Sequence, residues 1–256
     1  MSDAATVRVE RDGSLARLVL DHPPLNILTL PMLESLRKTL ESLAKDPSVG
    51  VLLLTGEGRA FCAGVDVADH TADKVDAMLE SLHEVFLALV GFEAPVVAAC
   101  NGAALGGGCE LLLACDVVLA RAGAKIGQPE VRLGVFPPVA AAYLPRIVGR
   151  QHAMDLILSG RTIRAVEAQE MGLVTRVIPP DDFQDEVNGY AASLASLSAP
   201  VLRVAKKAVV EGLDRTGPKA LRRAETLYRQ DLMRLDDAHE GLAAFMEKRE
   251  PVWSGA

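Results

Sequence analysis

The sequence predicts an α/β protein, with a layered core of strands and helices followed by a helix-rich C-terminal part. Three observations carry this reading. Short apolar runs alternate with stretches of helical periodicity through the first half. Two of those runs, 49–54 and 95–100, are almost wholly apolar, as fully buried strands are. From residue 150 onward the spacing is mostly helical.

Residues 7–11 and 15–20 read as strands split by Asp12-Gly13, a hairpin signal. His22-Pro23-Pro24 breaks the pattern. Helical spacing over 30–45 puts Leu33, Leu36, Leu40 and Leu43 on one face. The strand 49–54 stops at Thr55-Gly56, and a loop with Gly56, Gly58 and Gly64 follows. Then come a helix over 73–90 and strands over 95–100 and 116–121. The second half predicts helices over 150–158, 165–170, 181–197, 199–212, 218–234 and 237–248, interrupted by one strand, 173–177. A boundary near Pro200 divides a core, 1–199, from a helical region, 200–256. The tail's apolar stripes, such as Leu221, Leu227 and Leu232, need a surface to pack on, either the core or a neighbouring subunit.

The length of 256 residues suits one large α/β domain with a helical appendage. Acidic residues outnumber basic ones, 34 to 27, for a net charge of −7. That balance opposes general nucleic-acid or anionic-membrane binding but leaves room for a small anionic ligand. No apolar run is long enough to span a bilayer. Residues 1–10 are mixed and polar, unlike a signal or transit peptide, so a cytoplasmic protein is expected. Cys62, Cys100, Cys109 and Cys115 form no CxxC pair and sit among small or apolar residues. They read as small buried hydrophobes, with neither metal nor disulfide roles.

Two segments carry the chemistry: 58–66 and 101–110 running into 111–120. The triplet Gly106-Gly107-Gly108 would cost about 1 kcal/mol per glycine inside a helix, so it reads as a loop feeding a helix that starts near Gly108. Free N–H groups there suit a developing negative charge. Taken alone, the triplet is better explained as a tight turn that merely needs small residues. Glu110 lies in the first turn of an otherwise apolar helix, where desolvation would raise its pKa toward a value useful for proton transfer. Alternatively it serves the helix dipole from the surface. Glu130 follows Pro129 at a turn; alone it reads as a surface residue, but with Glu110 it could share one water.

Segments 60–67, 101–117 and 127–134 closely resemble motifs of the enoyl-CoA hydratase (crotonase) family. So do Ser159-Gly160-Arg161, Ala165, Glu167-Ala168 and Met171-Gly172-Leu173-Val174, and the closing Glu240-Gly241, Ala244-Phe245 and Glu247-Lys248-Arg249. The likeness covers nearly the whole chain in the right order. It implies a spiral of ββα units with a helical C-terminal region that builds trimers or hexamers, and an acyl-CoA substrate with no separate cofactor or metal. It implies that the N–H groups of Val65 and Gly107 form an oxyanion hole and that Glu110 and Glu130 are the acid/base pair of a hydratase. Ala63 and Asp66 would lie by the CoA, Phe245 and Lys248 would reach a neighbouring subunit's CoA, and Arg59 is a further phosphate candidate. Which glutamate is acid and which base stays open. Enoyl-CoA isomerase and silent acyl-CoA binding are the competing functions.

One stretch departs from the family pattern. Pro138, in Pro137-Pro138-Val139, stands where glycine is usual, so this part of the acyl-pocket wall is expected to be shaped differently. The stretch is similar to hydratases of cyclic dienoyl-CoA esters, such as cyclohexa-1,5-diene-1-carbonyl-CoA.

Overall fold

A computed structural model describes residues 7–256. The sequence expectations that fall on residues 1–6 lie outside it. The chain opens with β1 (Val7–Asp12), β2 (Leu15–Leu20), α1 (Leu30–Ala44), β3 (Val51–Gly56), β4 (Ala60–Cys62) and α2 (Val75–Val90). It continues with β5 (Val96–Cys100), β6 (Ala103–Leu105), α3 (Gly107–Leu113), β7 (Val117–Arg121), β8 (Lys125–Gly127) and α4 (Pro138–Ser159). The remainder is β9 (Thr162–Arg164), α5 (Ala165–Glu170), β10 (Arg176–Ile178), α6 (Phe183–Ala195), α7 (Ala199–Gly212), α8 (Gly217–Gln230) and α9 (Asp236–Glu247).

The α/β expectation holds, and the order repeats a strand–strand–helix unit four times, β1-β2-α1 to β7-β8-α4. The large sheet runs β1-β2-β3-β5-β7-β10, antiparallel only between β1 and β2. From the second unit onward the first strand joins this sheet. The second strand turns into a small sheet, β4-β6-β8-β9. The sequence reading missed that small sheet. Its strands span three residues each, too few for any period to register.

Both faces of the large sheet are covered, which is why its inner strands are apolar at nearly every position. Leu18, Leu52, Leu54, Val96 and Ala98 face the main core with α1 and α2. Leu15, Val51, Leu53, Val97 and Leu119 face Phe183, Val187 and Ala191 of α6. Helix α1 is started by Thr29, whose hydroxyl accepts from the Met32 N–H. Helix α7 is tied to the sheet by Lys206, which pairs with Asp116 at 2.6 Å and donates to the Ala94 carbonyl at 3.1 Å.

Other boundaries moved. The helix expected at 150–158 forms there as the second half of α4, and the half before it, opened by Pro138 and carrying Pro145, was not anticipated. Gly149, at φ +77°, marks the kink between its halves. The strand expected at 173–177 forms at Arg176–Ile178. In the tail Leu227 is buried, whereas Leu221, Leu242 and Phe245 are exposed within one chain.

The small sheet and α3 meet at very short range. A Cβ on Gly108 would lie 2.0 Å from the Cys62 carbonyl oxygen of β4, a backbone atom that cannot swing aside. Gly108→Ala is therefore expected to destabilise the fold by about 1–3 kcal/mol or more, seen as a lower urea midpoint. An unchanged midpoint would mean that α3 is free to move away from β4.

Candidate active site

Each residue of the glycine triplet has its own steric reason. Gly106 has φ +52°, a region that disfavours side chains, and a Cβ there would meet Glu130 Oε1 at 2.6 Å. A Cβ on Gly107 would press on Val65 Cγ2 at 2.8 Å and lie 3.5 Å from the Val65 nitrogen. Gly106 precedes the first residue of α3, Gly107, so the helix starts one residue before the sequence suggested. The triplet is a tight turn made of small residues, and it also brings backbone close to Glu130 and Val65.

The loop after β4 is fixed by the segment after the Pro-Pro break. Ala63 N–H donates to the Leu25 carbonyl at 2.9 Å, Leu28 N–H to Gly64 at 2.9 Å, and Asp66 N–H to Leu28 at 3.0 Å. Leu28 and Val65 thus form a single parallel bridge. With Asp66 N–H turned toward Leu28, the preceding N–H, that of Val65, points to the other side of the extended segment. Neither it nor the Gly107 N–H has a backbone acceptor among the described residues. Beneath this loop Asn26 is fully buried at φ +53°. Its amide donates to the carbonyls of Glu57 (3.0 Å), Ala60 (2.9 Å) and Phe61 (3.1 Å), and its oxygen accepts from His22 N–H (3.0 Å). The sequence reading missed Asn26; His22-Pro23-Pro24 marked a break, but the three acceptors of Asn26 lie more than thirty residues away.

A cavity of about 420 Å³ opens over this backbone. Ala63, Val65, Gly107, Glu110, Glu130 and Pro138 all line it. Glu110, on α3, is 2% exposed, and its Oε1 accepts the Ala140 N–H at 2.9 Å. The Val139 N–H acts on it as well. These two groups belong to the first turn of α4, so Glu110 caps another helix. Burial pushes its pKa up to about 7, opposed by the Ala140 N–H and reinforced by the charge of Glu130. Glu130 opens the short 3-10 helix Glu130–Leu133, and burial raises it to about 7 too. Fully buried Gln128, with its amide turned to satisfy both ends, donates to both carboxylate oxygens of Glu130 at 3.1 and 3.2 Å. Sequence reasoning missed Gln128 as well, although it sits two residues from Glu130.

The remaining site candidates lie elsewhere in the single chain. The Asp66 carboxylate accepts the Ala68 N–H at 3.0 Å, starting a short 3-10 helix beside the cavity. Arg59 lines a separate hollow with Arg8, Arg17 and Arg121. Phe245 is 85% exposed, and Lys248 ends α9 at φ +57°; neither lines the cavity. Cys62, Cys100 and Cys109 are buried, and burial raises their thiols.

The enoyl-CoA hydratase/isomerase family model matches residues 10–256, and the chain belongs to that family. It is 38% identical to a probable enoyl-CoA hydratase of Mycobacterium tuberculosis, over 97% of this chain and 98% of that one. It is 39% identical to a cyclohexa-1,5-dienecarbonyl-CoA hydratase of Thauera aromatica, over 99% of each. The crystal structure of an enoyl-CoA hydratase from Bacillus anthracis superposes with a TM-score of 0.93 at 32% identity, covering 98% of this chain and all of that one.

The raised carboxyls predict a sign for stability against pH. Glu110 binds its proton more tightly folded than unfolded, so its contribution favours folding at low pH and is lost as pH rises from about 4.5 to about 7. Between about pH 5 and about pH 8 the unfolding free energy is expected to fall, with Glu110 contributing about 3 kcal/mol. Urea titrations of Glu110→Gln should give a correspondingly flatter profile, whereas an unchanged slope would show that Glu110 is not the group responsible.

Proposed function

We propose that the protein is a hydratase that adds water to the double bond of an α,β-unsaturated acyl-CoA thioester. The observation that carries this is the pair Glu110 and Glu130, both lining one cavity and both raised to about 7. Two interacting carboxyls with such values hold about one proton between them near neutral pH. That is the state the reaction needs, one carboxylate to accept a proton and one carboxylic acid to give one.

The thioester carbonyl oxygen sits between the Val65 and Gly107 N–H groups, which stabilise the negative charge that develops on it. Water is held by the two carboxyls. As its oxygen bonds to the β-carbon, its proton passes to the ionised glutamate. The electron pair of the double bond moves toward the carbonyl, and the protonated glutamate delivers its proton to the α-carbon. The pair again carries one proton, now on the other member. Every proton and electron is supplied by the substrate, water and these residues.

Pro138 in the cavity wall supports an acyl group other than a short straight chain, and a cyclic dienoyl-CoA is the finer reading; the Thauera relative acts on such an ester by name. The exposed apolar residues of α8 and α9 support assembly into trimers or pairs of trimers, which would place Phe245 and Lys248 against a neighbouring subunit. The absence of any helix long and apolar enough to cross a membrane, among the described residues, is consistent with a cytoplasmic enzyme.

Purified protein is expected to hydrate crotonyl-CoA or a cyclic dienoyl-CoA, with loss of the conjugated thioester absorbance and a product heavier by one water. A product of unchanged mass would instead mean an isomerase. Glu110→Gln and Glu130→Gln should each lower kcat by about 10²–10⁴ while the protein stays folded. Near-wild-type turnover in either variant would remove that residue from the mechanism.

A further inference from the structure

Among the side chains that line the cavity, three carry nitrogen or oxygen: Glu110, Glu130 and His70. The proposed chemistry uses the two carboxyls and leaves His70 without a task. It is set in a wall otherwise built of Val67, Val75, Met78, Leu79 and Leu82.

The imidazole is held in place. The Asp66 carboxylate starts the short 3-10 helix Val67–Asp69, and His70 N–H closes it on the Val67 carbonyl at 3.1 Å. The ring Nδ1 lies 3.0 Å from the Asp66 carbonyl oxygen. A carbonyl can only accept, so Nδ1 carries the hydrogen, and in the neutral ring Nε2 is left as an acceptor. Among the described residues Nε2 has no hydrogen-bond partner.

We propose that His70 determines specificity by accepting, at Nε2, a hydrogen bond from a hydroxyl on the acyl group. The proposal rests on the acyl-CoA ligand of the hydratase reading. A purely hydrocarbon acyl group closing over Nε2 strips water from an acceptor and offers nothing in return, whereas a hydroxyl replaces the lost water. An acyl group ending in a carboxylate fits less well. Glu110 and Glu130 already share the cavity, and Asp69 beside His70 is paired to Lys74 at 3.2 Å, so among the described residues a further negative charge finds no free cation lining the cavity. The hydroxyl can come from two sources: one already carried by the substrate, or the one that water addition creates at the β-carbon.

The test is calorimetric titration of the full chain with saturated acyl-CoA esters, which bind without turnover. The series comprises a plain ester, its β-hydroxy derivative, derivatives with the hydroxyl moved outward carbon by carbon, and one ending in a carboxylate. Wild type is expected to bind one hydroxylated ester about tenfold more tightly than the plain one. His70→Leu should lose that preference, and His70→Gln, which keeps an acceptor, should retain part of it. A gain confined to the β-hydroxy ester assigns His70 to the product; a gain further out assigns it to the substrate's own hydroxyl. The proposal is overturned if no hydroxylated ester gains, if the gain survives in His70→Leu, or if the carboxylate ester binds best. A parallel hydration assay separates the two readings. A His70-dependent gain without hydration leaves this inference standing and removes the hydratase, whereas hydration without the gain does the reverse.

Discussion

The whole site depends on how closely the backbone of 106–108 approaches its neighbours. Gly108 lies against the Cys62 carbonyl, where a Cβ would meet backbone at 2.0 Å, Gly107 against Val65 and Gly106 against the carboxylate of Glu130. Those approaches exist because the second strand of each later ββα unit leaves the large sheet and pairs in the small one. The small sheet places β4, β6 and β8 side by side, and the segments that follow them carry Val65, Gly107 with Glu110, and Glu130. Three stretches far apart in sequence thus reach one cavity through main-chain hydrogen bonding.

Electrostatics follows from that placement. Glu110 is buried because α3 is buried at every position, and a carboxyl there is tolerable only with partners. The amides of α4's first turn supply them, which couples the carboxyl to the wall of the cavity. Glu130 is less buried and takes its hydrogen bonds from a side chain, Gln128. The two acids therefore reach similar pKa values by different balances. Burial is opposed by helix amides at one site. At the other, less complete burial is opposed by Glu130's own backbone N–H.

Much of the large sheet was legible because period and composition speak for strands of five or six residues and for helices with leucine stripes, such as α1. The small sheet was silent because three residues cannot show a period. Glu110 was legible as a carboxylate in an apolar helix, and the glycine triplet as the turn that leads into that helix. What the triplet touches was not legible, since Cys62, Val65 and Glu130 come from other units. Asn26 and Gln128 were missed for a related reason: a buried amide announces itself only through its acceptors, and those are set by tertiary structure. The first half of α4 was hidden by Pro145, whose usual meaning is a break.

Pro138 stands where a helix start can take proline without loss. At the first position of α4 its fixed φ suits a helix start, and the N–H it lacks would have had no partner inside the helix. The next two residues, Val139 and Ala140, keep their N–H groups, and those are the ones that reach Glu110. Proline therefore stiffens the wall above Glu110 without removing a donor from it. A glycine at this position would leave the wall freer to adjust to different acyl groups. Pro138 thus bears on the shape of the cavity wall, while the amide contacts of Glu110 are left as they are.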